Sequence, residues 1–125
     1  MNDPIPTEIK LHQKSNVLEV SFDDGAHFNF TCEFLRVHSP SAAVRGHGPG
    51  QETLQLDKED VSITKIEPVG RYGIKPYFSD GHDSGIFSWV ELYRLGINQE
   101  ELWGEYLELL KQAGHERKPT PSALN

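Results

Sequence analysis

The stretch from Ile66 to Trp89, IEPVGRYGIKPYFSDGHDSGIFSW, constrains this chain more than any other. It holds two apolar strand-like runs, a tight turn at Asp80-Gly81, and the entry into a helix. The run Ile74 to Phe78 is expected to pair across Ser79-Asp80-Gly81-His82 with Gly85 to Phe87. Pro76 has no N–H to give a ladder, so it belongs on an edge or at a bulge. Upstream, Val61, Ile63, Ile66 and Val69 read as one strand, bulged near Lys65 because the alternation slips by one there.

The rest of the chain supports the same antiparallel reading. Leu18, Val20 and Phe22 fall on one strand face, and Phe28 and Phe30 resume the alternation after Asp23-Asp24-Gly25. An Asp-Gly pair between alternating runs marks a hairpin, because Gly accepts the positive φ of the turn. Ile9 and Leu11 start a first strand. Glu33 to Arg36 either continues the strand of Phe28 and Phe30 or forms a short turn of helix. Val37 to Gln51, VHSPSAAVRGHGPGQ, loses all apolar pattern and reads as a long loop. Thr53 to Leu56 reads as a short strand, followed by a turn over Asp57 to Asp60.

Two helices close the chain. Ser88-Trp89-Val90-Glu91 is a capping box, with Phe87 and Leu92 as its staple, and Gly96 suits a left-handed stop. Asn98-Gln99-Glu100-Glu101 repeats the signal, with Ile97 and Leu102 as its staple. Leu102, Tyr106, Leu109, Leu110 and Ala113 then share a stripe that Trp103 and Leu107 widen, and Gly114 ends the helix. The expected fold is α+β: a small β-rich domain of antiparallel hairpins, with a short and a longer helix at the C-terminal end. Residues 1–7 are read as a flexible arm, 8–114 as the domain, and 115–125 as a disordered tail.

Charge and cysteine content narrow the function. At 125 residues the chain is one domain, and its net charge of −7 disfavours nucleic acid and anionic membranes, both of which need clustered Lys/Arg. No run reaches the length of a membrane span, and MNDPIPTEIK has no apolar core of a signal peptide. The single cysteine, Cys32, lies in an apolar stretch and reads as a buried hydrophobe. These features set the expectation of a cytoplasmic protein.

The histidines are the candidate chemistry. His82 shares a turn with Asp80 and Asp83, and His38 and His47 lie in the long loop. Nitrogen and oxygen ligands of this kind suit zinc or iron. Against a metal, no two histidines share an i,i+4 helical face, and Asp-Gly turns need no metal. No nucleophile elbow occurs, and Ser88 already caps a helix. Gly46-His47-Gly48-Pro49-Gly50 lacks the Lys-Ser/Thr ending of a phosphate loop. Trp89 and Trp103 read as core, and the acidic face Glu100, Glu101, Glu105, Glu108 as a solvated surface.

Five short motifs in order then carry a resemblance: Leu18-Glu19-Val20 before Asp24-Gly25, Glu33-Phe34-Leu35-Arg36, Ile66 to Tyr72, Phe78 to His82, and Gly85 to Trp89. Over roughly residues 8 to 96 the chain resembles the gamma-butyrobetaine hydroxylase-like N-terminal domain. The resemblance implies a small α+β unit that occurs alone in bacteria, in front of iron/2-oxoglutarate dioxygenases, or attached to P-loop iron–sulfur carrier ATPases. It also implies, for the family's zinc branch, a Cys-Pro-Cys-rich stretch after Leu-Arg that is completed by the histidine of Ser-Asp-Gly-His. Aligned on Leu35-Arg36, those cysteine positions are Ser39, Ser41 and Val44 here, and His82 alone remains. The chain thus looks like a cysteine-less, stand-alone branch, and the dioxygenase iron site belongs to a domain with no counterpart here.

The expectation is therefore a non-catalytic accessory domain with a protein partner, in the iron–sulfur or metal-related setting that the resemblance implies. The expected contact residues are Arg45, His47, Gly81 and His82. No cofactor is expected. The alternative is a zinc or iron site of His82 and Asp80 with His38 or His47.

Overall fold

The structure is a computed structural model that describes residues 3–46 and 52–118. Two three-stranded antiparallel sheets and four helices make up these residues. The first sheet orders β1 (Pro6–His12), β2 (Val17–Phe22) and β3 (His27–Thr31) as a meander. The second orders β4 (Ile63–Val69), β5 (Gly73–Phe78) and β6 (Phe87–Ser88) in the same way. Helices α1 (Cys32–Val37) and α2 (Ala42–Arg45) join the sheets, and α3 (Trp89–Ile97) and α4 (Gln99–Gln112) close the chain. The α+β class, the antiparallel hairpins and the short-then-long pair of final helices are as expected.

Alternation sets the registers. Leu18 faces Leu11 on one side and Phe30 on the other, and Val20 faces Ile9 and Phe28. The β2–β3 turn closes through Gly25 at φ 91°, with Asp24 Oδ1 accepting the Ala26 N–H at 2.9 Å. In the second sheet the register shifts between Ile63 and Lys65, where the sequence alternation slips. Pro76 sits on the middle strand opposite Ile66, but β6 pairs only Gly73 and Ile74, so no partner strand asks Pro76 for an N–H. The Ser79–His82 turn consequently opens a wide loop, and only Phe87 of the expected Gly85–Phe87 run joins the ladder.

The two sheets share one core. Leu18, Val20, Phe22 and Phe30 meet Ile63, Ile74, Phe78 and Phe87, with Phe34 and Leu35 of α1 and Leu92 and Leu95 of α3 packed between them. Each fully buried side chain of this size contributes about 1.5–3 kcal/mol. Val37, Tyr106 and Leu110 form a smaller cluster with Leu54 and Trp103.

Several local expectations are settled or corrected. Glu33–Arg36 is helical, because Thr31 Oγ1 accepts the Phe34 N–H at 3.0 Å and stops the strand. The long loop contains α2, capped by Ser41 Oγ on Ala43 N at 3.2 Å. Thr53 to Leu56 is not a strand; among the backbone pairings here, Thr53 N donates to Val44 O. Gly96 lies inside α3, and α3 ends at Asn98 with a negative φ of −104°. Gly96 is there because a Cβ would stand 2.5 Å from the Phe28 ring. The second capping box is absent, since Asn98 turns its Nδ2 back to Arg94 O at 2.9 Å and makes no side-chain cap to α4. On α4, Tyr106 and Leu110 are buried, whereas Leu107 and Leu109 are exposed.

The chain ends carry contacts of their own. β1 begins at Pro6, inside the expected arm. In the expected tail, Arg117 pairs with the buried Glu33 and lies over the Trp103 ring at 5.2 Å.

Candidate functional site

The turn after β5 is held by four side-chain hydrogen bonds, two to the segment between α1 and α2, one to α1 and one to Lys58. Ser39 Oγ bonds His82 Nε2 at 2.9 Å, and Ser41 Oγ bonds Ser84 Oγ at 2.6 Å. Arg36 Nε donates to Asp80 Oδ2 at 2.9 Å, and Lys58 Nζ donates to the same oxygen at 2.6 Å. Three of the pairings span 43 or 44 positions and that of Lys58 spans 22, so these bonds clasp distant segments. Ser39 is fully buried, Ser41 and Val44 nearly so. Gly85 makes the approach feasible, because a methyl group there would overlap Ser39 Oγ.

The Asp80 carboxyl and the His82 imidazole are both shifted by their surroundings. For Asp80, burial raises the carboxyl, but bonds from Lys58, the His82 N–H and Arg36 outweigh it and hold it at about 2. The aspartate is thus a fixed anion at neutral pH. Its Oδ1 accepts the backbone N–H of His82 at 3.2 Å, which shapes the turn. The His82 imidazole is held below its ordinary value, first by burial and then by the Arg36 charge, against the pull of Asp80 and Asp83. It is therefore neutral at pH 7, which suits the bond to a serine hydroxyl.

His38 belongs to a different environment. Its Nδ1 bonds Phe34 O at 3.0 Å, and its ring lies against Phe34 with centroids 4.4 Å apart. Burial is the main cause that lowers its basicity. Arg45, on α2, reaches His38 O and Glu91 Oε2, both at 3.4 Å. Gly81 is exposed at the tip of the turn. His47 lies outside the described residues.

These positions bear on the chemistry expected. Asp80 and His82 share the turn, but each spends its side chain on a protein partner, and His38 faces Phe34 instead. Among the described residues, ligand atoms of three metal-binding side chains come within 4.8 Å of one another only at Asp57, Glu59 and His115. The Ser39–His82 pair is no activated nucleophile: Ser39 is closed to solvent, and Asp80 bonds the backbone of His82.

Sequence reasoning missed Arg36, Lys58 and Ser84. Arg36 sat in a quoted motif, yet nothing local shows that a helical arginine will be 7% exposed against a carboxylate 44 residues away. Two cavities lie elsewhere. One of about 950 Å³ is bordered by Cys32, Glu33, Gly96, Trp103 and Arg117. One of about 520 Å³ is bordered by Ile5, Tyr72, Trp89 and Val90.

Residues 9–93 match the family described as gamma-butyrobetaine hydroxylase-like, N-terminal. The chain belongs to that family. Among solved structures, one determined in solution by NMR is 43% identical, with a TM-score of 0.80, over 94% of this chain and 93% of its own. A second NMR structure is 48% identical, also with a TM-score of 0.80, over 94% and 88%. A crystal structure from Acidithiobacillus ferrooxidans is 40% identical, with a TM-score of 0.62, over 73% and 91%; it is described as a protein of unknown function of the DUF971 family. No curated protein matches the chain. Within this gamma-butyrobetaine hydroxylase-like domain, Ser39 bonds His82 and Ser41 bonds Ser84. No helix among the described residues is long and apolar enough to cross a membrane.

Proposed function

We propose that the protein is a non-catalytic accessory domain that docks a protein partner through Arg45 and the Asp80-Gly81-His82 turn. The clasp carries this reading. Serines and a histidine stand where the resemblance implies thiolates in the family's zinc branch, and their hydrogen bonds hold the loops together. What the clasp presents outward is polar and preorganised. Asp80, Gly81, Asp83 and Ser84 are exposed, and the Arg45 side chain on α2 is 40% exposed. Preorganised loops lose little entropy on binding. Neither described cavity borders His82, which favours a contact surface over a substrate pocket. We take the partner to belong to iron–sulfur or metal-related metabolism, the setting that the family resemblance implies.

A photoreactive residue placed at Asp83 tests the reading, with the same residue at Lys10 on β1 as control. One discrete partner captured from Asp83, absent from Lys10 and lost on Arg45→Glu, supports it. Equal capture from both positions, or none from Asp83, removes it.

A further inference from the structure

We propose that Asp57, Glu59 and His115 form a site for a divalent transition-metal ion, with zinc the best match. The site lies away from the His82 clasp, and the inference does not rest on the docking reading.

The three donors come from two segments. Asp57 and Glu59 belong to the turn before β4, and His115 follows α4, where its N–H bonds Leu110 O at 3.0 Å. Their ligand atoms lie within 4.8 Å of one another. The decisive feature is His115 Nε2. It is closed to solvent and has no hydrogen-bond partner. A buried ring nitrogen left unpaired costs about 1–3 kcal/mol, so its environment calls for an occupant.

The spacing identifies that occupant. Asp57 Oδ1 stands 3.4 Å from His115 Nε2, too far for a good hydrogen bond. A tetrahedral ion with bonds of about 2.0–2.1 Å holds its ligand atoms about 3.3–3.4 Å apart. The pair thus stands at the separation of two ligands of one ion. Glu59 lies within 4.8 Å of both, so a short closing movement completes the set, and the exposed Asp57 side chain is able to follow it.

The surroundings agree. Glu59 Oε2 accepts the Lys118 N–H at 2.7 Å, an outer bond of the kind that orients a ligating carboxylate. The nearby cations are committed elsewhere: Lys118 Nζ to Asp60 at 3.1 Å, and Arg117 to Glu33. One imidazole and two carboxylates suit zinc, cobalt or nickel, with water completing the shell.

Calorimetric titration of the untagged full chain with zinc chloride, in buffer free of chelators, tests the site. We expect uptake of one equivalent, an affinity lowered at least about tenfold by His115→Gln or Asp57→Asn, and no change with His82→Gln. Asn suits the positive φ of 59° at position 57, so that variant keeps the turn. The wild-type chain supplies a variant-free readout: the His115 ring signals shift in NMR spectra as zinc is added. No stoichiometric uptake, uptake that survives His115→Gln, or sensitivity to His82→Gln in place of His115→Gln overturns the proposal.

Discussion

Asp80 holds together charges that would otherwise be stranded. It pairs with Arg36, whose side chain is 9% exposed, and with Lys58. Its folded carboxyl titrates at about 2, below the ordinary 3.8. A depressed acid contributes stability that is complete above the unfolded value and lost as pH falls through the folded one. The window therefore runs from about pH 4 down to about pH 2. We expect Asp80→Asn to cost about 1–2 kcal/mol at neutral pH, after allowance for solvent screening, and to flatten the acid limb of the stability curve in urea melts. An unchanged acid limb would show that Asp80 contributes nothing there. Gly96 gives a second expectation at this scale. Gly96→Ala improves helix propensity yet drives a methyl group into Phe28, so it should destabilise by about 1–3 kcal/mol instead of stabilising. A raised urea midpoint for Gly96→Ala would contradict the contact.

At the scale of elements, the two helix starts separate what a sequence announces from what packing decides. Ser88 and Asn98 carry the same capping signal. Ser88 Oγ accepts the Glu91 N–H at 3.0 Å, whereas Asn98 is at once the C-cap of α3 and the N-cap position of α4. With no separate linker, Asn98 adopts φ −104° and ψ 14°, and its side chain cannot reach the α4 amides. Ser88→Ala should cost about 1 kcal/mol and Asn98→Ala less than about 0.5 kcal/mol, measured side by side by thermal melts. The strands were legible for the opposite reason. Alternation at Leu18, Val20 and Phe22 is a local record of burial, so β2, its turn and the bulge near Lys65 could be read from periodicity. The clasp was legible only in outline: Ser39 and His82 could be paired through the family alignment. Arg36, Lys58 and Ser84 could not, because pairings across more than twenty residues leave no local pattern. Gly96 was misread because a glycine that ends a helix and one that admits a neighbouring ring look alike in one dimension.

Across the whole molecule, the segment after α4 ties the C-terminal end to the core. Arg117 neutralises Glu33, which is 5% exposed on α1, and covers Trp103 of α4. Breaking a buried pair from one side leaves an uncompensated charge and costs about 3–5 kcal/mol. Arg117→Ala should lower the melting temperature sharply, and Glu33→Gln in the same chain should restore much of it. Equal melting temperatures for wild type and Arg117→Ala would remove this tie.

The lone thiol has a practical use. Cys32 is fully buried between the sheets, with its acidity pushed up to about 11 by burial, against a backbone bond from Ile63. Although it borders the larger cavity, the residue is closed to solvent, so a thiol reagent reaches it only when α1 and its surroundings open. Its labelling rate in native buffer is therefore a clock for that opening, and the same clock, read with and without a bound partner or zinc, reports how far either event tightens the whole fold.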